Sequence, residues 1–194
     1  MSNWVLLLPP SEIKSPAPAT GPTWEEVRKK KRYNAFPELD AMRLMVIRAL
    51  QGALERRRGL EQTFEVRGEA LEEAIAVNRR LLEASVQPAH QLYRGVMYEA
   101  IDWKSLDKKS RDRLNQQTLI FSGLFGVMRP TDRIPPYKLK MSANLGGYVG
   151  KVVNFWRVAV SELLRQELRG KGVWDFLPDA HKRAWDGSGE IVAR

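Results

Sequence analysis

TLIFSGLFGVMRPTDRIPPYKLKM, residues 118–141, begins as an apolar run and breaks at Gly123 and Gly126. An unbroken apolar run of this length is the pattern of a strand covered on both faces. Val5–Leu8 is a second such run; it stops at Pro9-Pro10 and enters SEIKSPAPATGPTW, a Pro- and Ser-rich loop. VWDFL (173–177) reads as a third strand, and GSGEIVAR (187–194) as the start of a fourth. A lone strand pairs with nothing, so this ending predicts a missing C-terminal part or an unusually short version of the protein. Helical periodicity fills the intervals. Leu39, Met42, Val46, Leu50, Ala53 and Leu54 share one face, with Pro37 in the first turn and Gly59 as the C-cap. A second helix is predicted over 69–84, on Leu71, Ala74, Ile75, Leu81 and Leu82. The short connection GLEQTFEVRG makes these two an antiparallel pair. SLDKKSRDRLNQQ (105–117) reads as a basic helix with Ser105 as its cap, and VVNFWRVAVSELLRQELRG (152–170) as an amphipathic one. The pattern predicts a single α/β domain over 1–194, a mixed sheet flanked by helices, with α+β as the alternative.

Composition narrows the chemistry. The chain has 194 residues, 43% hydrophobic and 28% charged, which is ordinary for a globular protein able to bury a core. It has no cysteine, which excludes a disulfide framework, a thiolate metal site and a cysteine nucleophile. His90 and His181 are its two histidines, too few for a histidine metal cluster, and no cofactor is expected. MSNWVLLLPP lacks the cationic flank and length of a secretory signal, and no window reaches a membrane span, so a cytoplasmic protein is expected. The net charge is +9. Residues 1–97 carry 15 Lys+Arg against 12 Asp+Glu, and residues 98–194 carry 17 against 11, so the excess lies mainly in the second half. Such a balance suits a polyanionic partner, nucleic acid or a phosphorylated ligand; the plainer alternative is a basic surface kept for solubility.

Residues 129–140 concentrate that charge. Arg129, Arg133, Lys138 and Lys140 face a single acid, Asp132, in a segment stiffened by Pro130, Pro135 and Pro136. A rigid loop that gathers like charges is costly unless an anion shares the space, so the loop reads as a preorganised anion grip. The alternative is that Arg129 pairs with Asp132 or a backbone carbonyl and pins the turn. Lys138 and Lys140 fall on the same side if the segment is extended.

These residues also carry a resemblance. SGLFGVMRPTDRIPPYKLKM resembles the signature of the YaaA-type peroxide stress family (UPF0246-like). LLLPPSEIK, LYRGVMYEAID, NFWR and VWDFLPDAHKRAW are similar to that family's further motifs, in the same order. The resemblance implies an α/β domain of unusual topology with a helix-hairpin-helix element, acting in the bacterial cytosol in the oxidative stress response to hydrogen peroxide. It implies a basic, DNA-binding protein whose partner is double-stranded DNA, including structured or bulged duplexes, associated with limiting free intracellular iron. Residues 38–84 depart from it: they lack the Gly-hydrophobic-Gly hairpin that presents backbone N–H groups to phosphates.

The resulting candidate nucleic-acid and anion contacts are Lys14, Tyr93, Arg94, Tyr98, Arg129, Arg133, Tyr137, Lys138 and Lys140. Phe155 and Trp156 match a family motif but read as core. The rival reading is an enzyme or binder of an anionic, phosphorylated substrate, with Ser11, Lys14, Arg129, Asp132 and Tyr137 in one cleft and Lys14, Asp132 and Tyr137 as its catalytic groups. No enzyme activity follows from the family resemblance, and direct metal binding finds little support in the residues.

Overall fold

The computed structural model describes residues 4–30, 33–187 and 190–193, the last four by backbone. In chain order its elements are β1 (Trp4–Leu8), α1 (Trp24–Arg28), a 3-10 turn (Pro37–Leu39) running into α2 (Asp40–Arg56), α3 (Leu60–Phe64) and α4 (Glu69–Arg79). There follow β2 (Gln87–Pro88), α5 (Ala89–Leu92), α6 (Val96–Ile101), α7 (Lys108–Gln117), β3 (Thr118–Ser122), β4 (Gly126–Met128) and β5 (Arg133–Ile134). The last are α8 (Val152–Glu167), β6 (Gly172–Asp175), α9 (Asp179–Lys182) and β7 (Glu190–Ala193). The fold is α/β, as its apolar runs predict.

The main sheet has the order β4-β3-β1-β6-β7. β1 pairs in parallel with β3 and β6, β6 in parallel with β7, and β3 antiparallel with β4, so the sheet is mixed. The expected orphan at the chain end is therefore not an orphan: Glu190–Ala193 is the partner of β6. Every residue of β3 is buried, the condition its unbroken apolar run predicts. Among the described residues no helix is long and apolar enough to cross a membrane.

Two glycines and one arginine set the turn between β3 and β4. A Cβ on Gly126 would come 2.8 Å from Cε3 of Trp156, and its φ is +72°. A Cβ on Gly123 would come 2.7 Å from the Leu139 carbonyl oxygen. Both positions need close backbone approach. Trp156 fills the space and donates Nε1–H to the Gly123 carbonyl at 2.9 Å, so it belongs to the core as expected. Arg43 of α2 is fully buried, donating to the carbonyls of Phe125 (3.1 Å), Val127 (3.0 Å) and Phe36 (3.1 Å) and pairing with Asp40 at 2.9 Å. This cation, unremarked in the sequence, clamps α2 to β4.

The helical stretches differ in detail from their predicted bounds. Arg57, at φ +53°, takes the left-handed C-cap of α2, and Gly59 starts α3 instead. The connection thus contains a helix of its own, although α2 and α4 still pack on one another. α4 ends at Arg79, before Leu81, which is buried in the turn that follows. Asp107 caps α7 in place of Ser105, its carboxylate accepting from Ser110 N–H at 2.8 Å.

Candidate functional site

The parallel strands fix where a ligand site falls. The chain leaves β1 for β3 on one side and later returns to β6 on the other side of β1. In open parallel sheets the crevice outside the carboxyl ends of the strands, where the order reverses, is the usual binding position. Here the end of β1 leads through Pro9 and Pro10 to Ser11, Glu12 and Lys14, and the end of β6 leads to Pro178, Ala180 and His181.

Lys14 is the centre of that edge. A backbone bridge to Tyr93 holds it, and its ammonium donates to the Ser11 carbonyl at 2.7 Å. Nζ lies 4.5 Å from the ring centroid of Tyr137 and 5.5 Å from that of Tyr93. Among the described residues no carboxylate forms an ion pair with it. Burial lowers its pKa from 10.5 to about 8, Glu12 opposing and Lys138 reinforcing the shift. An amine of this kind is a cation for an anionic guest and, near pH 8, a group whose proton is easily moved.

Beneath it runs a buried chain of hydroxyls. Ser122 Oγ accepts the N–H groups of Leu124 (3.2 Å) and Phe125 (3.0 Å), which occupies both its lone pairs. Its proton therefore goes to the Tyr137 hydroxyl at 2.7 Å, which in turn meets the Tyr93 hydroxyl at 2.7 Å. Burial pushes Tyr137 up to about 12 and Tyr93 well above its ordinary value, so both stay neutral. The network holds the two rings under the Lys14 ammonium.

Asn78 of α4, absent from the sequence-based candidates, also shapes the site. Its side-chain amide donates to the Lys138 carbonyl at 2.7 Å and accepts from the Lys138 N–H at 3.0 Å. This two-way bond ties the 136–140 segment to α4. An asparagine on an apolar helical stripe was its one signal in the sequence.

The expected cluster of four loop cations is absent; each has its own partner. Arg129 turns inward, its guanidinium bonded to the carbonyls of Gln116 (2.6 Å) and Thr118 (3.3 Å) and to Glu167 at 2.5 Å, with 15% of its side chain exposed. Of the two sequence readings for Arg129, this is the one that pins the turn. Asp132 is buried and accepts from the backbone N–H groups of Arg129 and Ala35, both at 3.0 Å. Burial raises it to about 6. Arg133 reaches the Val86 carbonyl at 3.2 Å, Lys138 pairs with Glu73 at 3.5 Å and Lys140 with Glu65 at 3.3 Å. The five-residue cleft is corrected too: Ser11, Lys14 and Tyr137 meet, but neither Arg129 nor Asp132 reaches the cavities that Lys14 lines. A short turn makes Arg129 and Asp132 serve each other and the sheet.

Tyr93 and Tyr98 are 1% and 6% exposed, so their rings are core and not open stacking surfaces. They lie 5.2 Å apart, and Tyr98 donates to the Pro9 carbonyl at 2.7 Å. Their edges, with Arg94, His90, Trp103, Lys104 and Arg111, line a separate groove of about 780 Å3.

Lys14 and Tyr137 line two cavities. One of about 240 Å3 adds Ser11, Glu12, Glu65, Lys140 and His181; the other, about 630 Å3, adds segment 13–17, α4 and Pro136–Lys138. Both ring nitrogens of His181 are buried without a hydrogen-bond partner, and burial takes its pKa to about 4, so the ring is neutral. Among the described residues no three His, Cys, Asp or Glu side chains gather as a metal ion would require.

Comparison with known proteins agrees with the motifs. A UPF0246 protein of Streptomyces coelicolor is 38% identical over 98% of this chain and 70% of its own length. A UPF0246 protein of Corynebacterium glutamicum is 32% identical over 82% of this chain, and an uncharacterized protein of Campylobacter jejuni is 34% identical over 60%. The match spans 61% and 46% of those two proteins, less than two thirds of their lengths. Residues 5–192 match the family model described as peroxide stress protein YaaA, and the chain belongs to that family.

Proposed function

We propose that the chain serves the peroxide stress response by binding a phosphorylated small molecule in the crevice at the carboxyl ends of β1 and β6. One observation carries the reading: Lys14 keeps an ammonium beside two cavities, over two neutral tyrosine rings, with no acid among the described residues paired to it. A half-buried cation that the fold leaves unneutralised is a place for an anion. Ser11 and Tyr137 complete the wall, and Lys138 adds positive field. In this reading the protein works in the cytosol, and the limit on free intracellular iron follows from the ligand rather than from metal ligation. Calorimetric titration with inorganic phosphate tests the site: Lys14→Met weakens binding at least about 10-fold, the loss expected for one charge-assisted contact. Equal binding by both proteins refutes the proposal. In cells, the same variant fails to restore peroxide resistance to a strain lacking the gene.

A second reading, binding of duplex DNA, is favoured by the 780 Å3 groove, where Arg94, Lys104 and Arg111 face Glu99 and Asp102. The helix pair is a poorer candidate: residues 55–83 carry six Lys or Arg against seven Asp or Glu. Phosphate contacts in the groove give affinity that falls steeply with salt, and Arg94→Glu with Arg111→Glu lowers it for every sequence alike. Affinity for plain, bulged and single-stranded DNA that ignores salt rules this reading out.

A further inference from the structure

The two cavities beside Lys14 differ in charge and in lining. The 240 Å3 cavity sets Lys14 and Lys140 against Glu12 and Glu65, an even balance. The 630 Å3 cavity sets Lys14, Arg80 and Lys138 against Glu73 alone, an excess of two positive charges. Apart from Ser15 and Tyr137, its remaining wall is apolar: Ile13, Pro16, Ala17, Val77, Ala84 and Pro136. A mostly apolar hollow of a few hundred Å3 with a few convergent polar groups is the general form of a small-molecule site.

We infer that this larger cavity binds a nucleoside monophosphate, its base against Ile13, Pro16, Val77 and Ala84 and its phosphate among Lys14, Arg80 and Lys138. The assignment deepens the reading given under Proposed function and rests on it. The charge excess decides between acidic groups. A phosphate monoester carries about −1.5 to −2 at pH 7 and matches an excess of two, whereas a carboxylate leaves one cation uncompensated. Arg80 adds a planar fork suited to two phosphate oxygens, and among the described residues it forms no ion pair. Lys14 is already fixed by the Ser11 carbonyl and the Tyr137 ring, so little is lost in ordering it. Asn78 holds Lys138 by its backbone. The apolar surface has a use beyond the charge: inorganic phosphate alone leaves Ile13, Val77 and Ala84 in water, while a base covers them.

Three probes separate nucleotide binding from phosphate binding: adenosine 5′-monophosphate, adenosine and inorganic phosphate, each titrated by calorimetry into the full chain at low salt. The monophosphate is expected to bind at least about 10-fold more tightly than either of the others, since it engages both halves of the cavity. Val77→Trp, on the outward part of α4, fills the base half and brings the monophosphate down to the affinity of inorganic phosphate. Ile13→Asp, at a residue 64% exposed whose replacement spares the core, weakens the monophosphate through charge. If inorganic phosphate binds through Lys14 and the monophosphate binds no better, this inference fails and the broader reading stands. If neither binds, both fail. Undiminished monophosphate binding by both variants also overturns the assignment to this cavity.

Discussion

At neutral pH the Lys14 ammonium sits 4.5 Å over Tyr137, and burial brings its pKa from 10.5 to about 8. The folded-state value is below the unfolded one, so the folded chain binds fewer protons between about 8 and 10.5. Stability therefore rises with pH across that window, and below it the charged lysine is a cost. Lys14→Met should raise stability by about 1–2 kcal/mol at pH 7, with the gain fading toward pH 10.5. Urea unfolding at the two pH values measures it, and a loss at pH 7 would argue that the lysine is structural. Arg129 is the opposite case. Its guanidinium satisfies two carbonyls and Glu167 inside the fold, so Arg129→Ala should cost about 3–5 kcal/mol. A folded Arg129→Ala variant that loses anion binding with unchanged stability would contradict this assignment. The two residues could not be sorted by sequence: both are cations beside prolines, and burial and partners distinguish them.

The strands were legible because burial on both faces leaves an unbroken apolar run, as Val5–Leu8 and Leu119–Phe121 show. Helix faces were legible through spacing, and their ends less so. α2 stops at a left-handed arginine where a glycine was available two residues on, and α4 stops before Leu81, which packs from a turn. Tertiary packing, not propensity, chose both ends. The β3–β4 turn depends on contacts far along the chain. Gly126→Ala meets the Trp156 ring at 2.8 Å and a φ of +72°, and should destabilise by about 2–4 kcal/mol. A thermal melt reads the effect, and a shift within error would show that α8 yields easily. Asn78→Ala removes both bonds to the Lys138 backbone and should cost about 2 kcal/mol. Phosphate affinity is expected to fall with it, because the 136–140 segment loses its tie to α4.

Across the whole molecule, the site forms where three distant stretches meet: the loop after β1, the 136–140 segment and α4. Sequence supplied Lys14, Tyr137 and Lys138 as members, since a lysine just past a buried strand and a proline-stiffened basic loop are readable signs. It could not supply the pairing of Lys138 with Glu73, the bond from Asn78, or the inward turn of Arg129, each of which depends on α4 or α8 lying alongside. The net charge of +9 likewise gives no location. Arg129, Lys138 and Lys140 each pair with an acid brought in from another element, whereas among the described residues Lys14 has none. In the proposed reading this one ammonium binds an anion and loses it with its proton. Sulfate is the most direct probe, because its charge is fixed across the range. Its affinity for the wild-type chain, measured from pH 6.5 to 9.5, is expected to fall above a midpoint at or above about 8, with Lys14→Met weak throughout. A flat profile in the wild-type chain, or equal affinity in the variant, would contradict the account.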